Sequence, residues 1–134
     1  MDAAPAACMA KKFGGTEIIA YLCRQKRGRM MRRENVVNQI REMAHRFIPD
    51  AQTILYGSEA RGDARSDSDV DLLILLPSDA VSPEVEHSIV GKLYEIELQS
   101  GVIISSLILP KDKWEHPDVV TPFHINVRRE GVRL

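Results

Sequence analysis

From residue 33 to residue 48 apolar side chains recur at Val36, Val37, Ile40, Met43, Ala44, Phe47 and Ile48. That is the i, i+3, i+4, i+7 spacing of a helix with one buried face, and Pro49 stops it. Residues 53–57, TILYG, read as a short strand ending in a glycine break, and 58–62, SEARG, as a helix start with Ser58 placed to cap it. Residues 69–76, DVDLLILL, form a strand whose far half is apolar at every position. Such a strand needs cover on both faces, as at the centre of a sheet. A helix follows over 82–101, with Ser82 at the cap, Pro83 in the first position, Val85, Ile89, Leu93 and Ile96 on one face and Gly101 at its close. Residues 102–109, VIISSLIL, are a third strand, and 121–131 a short helix entered by Thr-Pro and ended by Gly. The tail VRL is left to pair or pack. The order of helix and strand predicts an α/β (α+β) domain, a small mixed β-sheet with helices packed mainly on one face.

Composition narrows the picture without redirecting it. The 134 residues, 44% apolar and 28% charged, fit one domain able to bury its own core. The first 29 residues differ from the rest, beginning with the small-residue run MDAAPAACMAKKFGG and continuing with TEIIAYLCRQKRGR, an amphipathic stretch ending in a basic cluster. They are expected to be an extension, either flexible or upstream of a true start at Met30 or Met31, with 30–134 as the folded domain. Charge divides at the same place. Residues 1–29 hold six Lys/Arg against two acids, and 30–134 hold twelve against seventeen, for a chain total of −1. An acidic domain gives no nucleic-acid signal. Cys8 and Cys23 lack a metal-ligand spacing and read as two thiols of a reducing compartment. No run approaches the roughly 20 apolar residues of a membrane span, and the N-terminus lacks a secretory apolar core. A cytoplasmic location is the expectation.

The chemistry concentrates in YGSEARGDARSDSDVDLLILL, residues 56–76. Asp69 and Asp71 stand at i and i+2 of a strand, so their carboxylates share a face a few Å apart. Like charges that close repel, and a cation between them relieves the repulsion. Carboxylate oxygens suit Mg²⁺, which takes one or two of them together with substrate phosphates. Gly57 and Ser58 lie where a strand passes into a helix. Glycine there admits a phosphate close to the backbone, the helix start offers N–H groups, and the serine adds a hydroxyl. Arg61 and Arg65 stand a turn or two further on, within reach of phosphate oxygens. The stretch thus reads as a phosphate cradle followed by a metal clamp, the pairing that phosphoryl-type transfer needs.

Competing readings fail or stay local. A calcium loop counted from Asp67 would need Gly and Glu where Leu72 and Ser78 stand. Asp63 and Asp67 read as solvated loop acids. His45, His87, His116 and His124 form no i, i+4 ligand pair, and no G-x-S-x-G is present. Trp114 reads as a packing anchor over the sheet. Arg128, Arg129 and Arg133 form a basic cluster suited to a partner or the surface.

The run GSEARGDARSDSDVD, Gly-Ser followed by ten residues and Asp-x-Asp, resembles the minimal nucleotidyltransferases of the DNA polymerase β-like nucleotidyltransferase superfamily. The resemblance covers 31–134 in layout and is specific in 54–76. It implies that Gly57 and Ser58 hold a nucleoside triphosphate and that Asp69 and Asp71 bind two Mg²⁺. It further implies transfer of a nucleoside monophosphate to an acceptor hydroxyl with release of pyrophosphate. Partners implied by the resemblance are a small helical protein, as in a toxin–antitoxin-like pair, or a second copy of the chain. In one respect the chain departs from the pattern. The family carries a third carboxylate on a later strand, and VIISSLIL has none. Ser105 or Ser106 stands in its place, while Glu95 and Glu97 read as helix surface and Asp112 lies past the strand. The alternative is therefore a non-catalytic nucleotide- or partner-binding module that has lost the third metal carboxylate.

Overall fold

The structure, a computed structural model, describes residues 31–65 and 67–134. The extension expected over 1–29, with Cys8 and Cys23, lies outside the described residues. Arg33–Leu134 forms one compact unit. Helix α1 runs Met31–Phe47, strand β1 Gln52–Tyr56, a short helix α2 Gly57–Arg61 and strand β2 Val70–Leu76. A 3₁₀ turn at Ser78–Ala80 precedes α3, Pro83–Ser100, and strand β3, Ile104–Pro110. Helix α4, Lys111–Glu115, helix α5, Pro122–Glu130, and strand β4, Val132–Arg133, complete the chain.

The four strands lie in the order β3-β2-β1-β4. β2 runs antiparallel to β1, with Thr53 opposite Ile74 and Tyr56 opposite Asp71. It runs parallel to β3, with Val70 opposite Ile104, so α3 is the crossover that parallel pairing requires. The tail pairs with β1, Leu55 opposite Val132. The mixed sheet and the central place of β2 both follow the sequence expectation.

The unbroken apolar run of β2 feeds two clusters. Val70, Leu72, Ile74 and Leu76 pack with Val36, Ile40 and Met43 of α1 and with Ile89, Leu93 and Ile96 of α3. Leu73 and Leu75 point the other way, to Trp114 of α4 and Val127 of α5. The first cluster is the larger and holds both long helices, so the helical cover lies mainly on one face. Burying each such leucine or isoleucine stabilises the fold by about 1.5–3 kcal/mol, and the alternation fixes the strand's register, because a one-residue slip would send Asp71 into the core.

The helix ends behave as their residues dictate. The Ser82 hydroxyl accepts the Val85 N–H at 3.2 Å, and Pro83 occupies the first turn. The Thr121 hydroxyl accepts the His124 N–H at 3.3 Å. One expectation is corrected. Ser58 does not cap α2: the helix begins at Gly57, its N-cap position is Tyr56, and no side chain caps it. Helix α4 was not expected, since five residues carry too little periodicity to register. Its Trp114 is only 6% exposed and is the packing anchor that the sequence suggested.

Candidate active site

The site forms where β1 ends and β2 begins. Tyr56 closes β1 in extended geometry, and the chain then turns through Gly57 at φ +76°. That is the left-handed region, open to glycine at little cost. Asp71 lies directly across the sheet from Tyr56, and its carboxylate reaches back over the turn. A β-carbon added at Gly57 would stand 2.5 Å from Asp71 Oδ2. Position 57 thus needs glycine twice over, for its backbone angle and for the carboxylate lying on it. The antiparallel pairing of β1 and β2 brings the Gly-Ser and Asp-x-Asp ends of the motif together across the intervening ten residues.

Asp69 precedes the strand by one residue and is exposed, while Asp71 is half-buried. Val70 between them is fully buried in the α1–α3 cluster, which turns its two neighbours to the opposite face. Burial raises the Asp71 carboxyl above its ordinary pKa, the Asp69 charge raises it further, and Arg61 opposes both. Burial, followed by the Asp71 charge, likewise raises the Tyr56 phenol. The Asp69 charge therefore reaches the Asp71 carboxyl, as the i, i+2 argument required. Their oxygens are hard donors on one face beside a backbone turn, and this donor set fits a divalent cation such as Mg²⁺.

The arginines divide. Arg61 stands near enough to Asp71 to act on its charge, and it is itself held by Asp63 at 3.3 Å and Glu130 of α5 at 3.2 Å. Arg65 points outward, with its side chain 84% exposed and 3.7 Å from Asp67. Its backbone N–H donates to the Ser68 hydroxyl at 2.9 Å. The structure thus groups Gly57, Ser58, Arg61, Asp69 and Asp71 around one turn and leaves Arg65 at the rim.

Several contributors escaped the sequence reading. Arg33 of α1 donates to Glu59 of α2 at 3.0 Å, with both side chains about 95% buried, and also donates to the Ser68 carbonyl. One guanidinium thereby ties the helix after Gly57 and the loop before Asp69 to α1. A signal was present: Arg33, Val37, Ile40 and Ala44 share one helix face, and a charge on an apolar stripe asks for a buried partner. Behind the site Tyr56 meets Phe123 edge-on at 5.3 Å, and Trp114 stacks on His124 at 4.5 Å.

The place of a third carboxylate can now be located. In the parallel ladder Asp71 stands opposite Ser105, so Ser105, not Ser106, shares its face. Glu97 accepts the Ile104 N–H at 2.7 Å, Glu95 pairs with Lys92 at 4.0 Å, and Asp112 accepts from Ser78 near the opposite end of β3. None stands beside Asp71. Among the described residues no group of three or more His, Cys, Asp or Glu is placed to hold a metal ion. Nor is any helix there long and apolar enough to cross a membrane.

The family model of the nucleotidyltransferase domain matches residues 36–130, a span that takes in α1 from Val36 onward, the Gly57–Asp71 turn and α5. No curated protein matches the chain. A solved toxin–antitoxin structure with AMP-PNP is similar at 22% identity, over 72% of this chain and 69% of that one, with a TM-score of 0.47.

Proposed function

The chain belongs to the nucleotidyltransferase domain family, and from that premise we propose that it moves a nucleoside monophosphate from a nucleoside triphosphate onto a hydroxyl of an acceptor presented by a partner. The observation that carries the proposal is the Asp71 carboxylate lying on Gly57, with Asp69 on the same face. Gly57 and Ser58 take the triphosphate, with Arg61 alongside, and Asp69 and Asp71 hold Mg²⁺. When bound, the metal neutralises phosphate charge and favours the attacking and leaving oxygens. The chain's own share is positional. The Gly57 turn leaves room for phosphate beside the backbone, and the Arg33–Glu59 strut fixes the turn relative to the aspartates. Arg65 takes part only by swinging in from the rim.

In this reading the acceptor is presented by another molecule. The resemblance to minimal nucleotidyltransferases makes that molecule a small helical protein in a toxin–antitoxin-like pair, or a second copy. The proposed setting is the cytoplasm.

A second reading has its own support. Ser105 stands opposite Asp71, and a chain with two carboxylates is also what a nucleotide- or partner-binding module without catalysis would retain. One experiment separates the two. Purified protein is incubated with labelled ATP, GTP, CTP and UTP, Mg²⁺ and lysate, beside an Asp69→Asn/Asp71→Asn double variant. Label transferred by the native chain alone supports the enzyme. Equal labelling, or none in any lysate fraction, selects the binding module.

A further inference from the structure

Helix α3 is apolar on two sides. Its inner side, Ile89, Leu93 and Ile96, is buried in the main core. On the far side Val90, Tyr94 and Leu98 follow at i, i+4 and i+8, and they are 49%, 56% and 68% exposed. A helix inside a domain needs only one apolar stripe, and three large side chains in one row on the outside form a continuous ridge. Gly91 lies beside that ridge. Glycine weakens a helix interior, and nothing within the domain calls for it, because a β-carbon there would meet no atom within 4 Å. A helix laid across the ridge from outside would call for it, since small residues let two helix backbones approach.

Charge states what kind of helix. By helical spacing the ridge runs between Glu84 and Glu95 on one edge and Glu86 on the other, where Glu97 accepts the Ile104 N–H. The one lysine of α3 is turned toward α1, with its Nζ 4.4 Å from the centre of the Phe47 ring and 4.0 Å from Glu95. A second copy of the chain would bring the same acidic edges against themselves, and like charges at a contact disfavour it. We infer that the outer face of α3 docks an amphipathic helix of a different protein, one whose apolar ridge is flanked by lysine or arginine. The inference rests on α3 alone and stands whether or not the chain transfers nucleotides.

The test uses the full chain and a fluorescent designed peptide, helical, with a leucine ridge between two rows of lysine. A matched peptide carries glutamate in place of lysine. Anisotropy should show binding of the lysine peptide, weakened by added salt as an acidic rim requires, and none of the glutamate peptide. Tyr94→Ser/Leu98→Ser, at exposed positions, should weaken the complex at least about tenfold while leaving the thermal melt unchanged. Glu84→Lys/Glu95→Lys should shift preference toward the glutamate peptide. Three results would overturn the inference: no binding of the lysine peptide, equal binding of both peptides, or equal binding by the native chain and the Tyr94/Leu98 variant. A dimer in sedimentation that Leu98→Ser dissolves would overturn it too, by making the face a contact between copies.

Discussion

Replacing Gly57 by alanine tests the geometry on which the site depends. The substitution adds one carbon, which would stand 2.5 Å from Asp71 Oδ2 at a backbone angle of φ +76°. Holding alanine in the left-handed region costs roughly 1–2 kcal/mol. Moving the carboxylate out of the way forces its χ angle from the preferred well, at about 0.5–1.5 kcal/mol. The smaller entropy of the unfolded alanine chain returns about 0.4–1 kcal/mol. The balance is a loss of about 1–3 kcal/mol, which at a urea slope near 2 kcal/mol/M moves the unfolding midpoint down by roughly 1 M. The two contributions separate in a double-variant cycle. In an Asp71→Ala background the overlap is gone, because the remaining β-carbon of residue 71 is at an ordinary 3.5 Å, and Gly57→Ala should cost only the backbone part. A coupling of about 0.5–1.5 kcal/mol between the two positions is the expected result, above the scatter of about 0.3–0.5 kcal/mol seen for independent sites. Additivity within that scatter, or a Gly57→Ala variant as stable as the native chain, would refute the placement of the carboxylate on the turn.

Other outcomes follow from the same contacts. Because burial and then Asp69 raise the Asp71 carboxyl, its contribution to stability is fully present below the unfolded value and is lost as pH rises through the folded one. Asp71→Asn should therefore raise the melting temperature at pH 7 and lose that advantage below about pH 4, and a constant difference across the range would contradict it. Breaking the buried Arg33–Glu59 pair with Glu59→Leu should cost about 3–5 kcal/mol in urea unfolding, with Arg33→Met/Glu59→Leu recovering much of it; equal single and double losses would dismiss the pairing. Ser82→Ala should cost about 1 kcal/mol through the lost α3 cap, measurable in the same assay.

The elements that the sequence made legible are those whose instructions are local. Val36 to Ile48 repeat at helical spacing, and the observed helix ends at Phe47, one residue from the expected stop. Ser82 with Pro83, and Thr121 with Pro122, announced two helix starts that their hydroxyls do cap. The run from Leu72 to Leu76 announced a strand covered on both faces, and it became the central strand. Ser58 misled because a serine after glycine looks like a cap, whereas the helix begins one residue earlier, at Gly57, with Tyr56 in the N-cap position. Helix α4 was invisible because one turn is too short for a period and is held by Trp114, a tertiary contact.

The site divides along the same line. The shared face of Asp69 and Asp71 follows from strand pleating, and Gly57 from the need for a turn, so both stood in the sequence. Their meeting depends on the antiparallel register that sets Tyr56 against Asp71, and that register is fixed by Val70 and Leu72 entering the core. Arg33 pairs across 26 positions and Arg61 reaches Glu130 across 69, distances at which no spacing rule operates. The choice of Ser105 over Ser106 is of this second kind. Two adjacent serines in a strand point to opposite faces, and only the ladder with β2 says which one faces Asp71. Whether a third carboxylate is needed is therefore a question about one position: an aspartate placed at 105 would share the face of Asp69 and Asp71, and one placed at 106 would not.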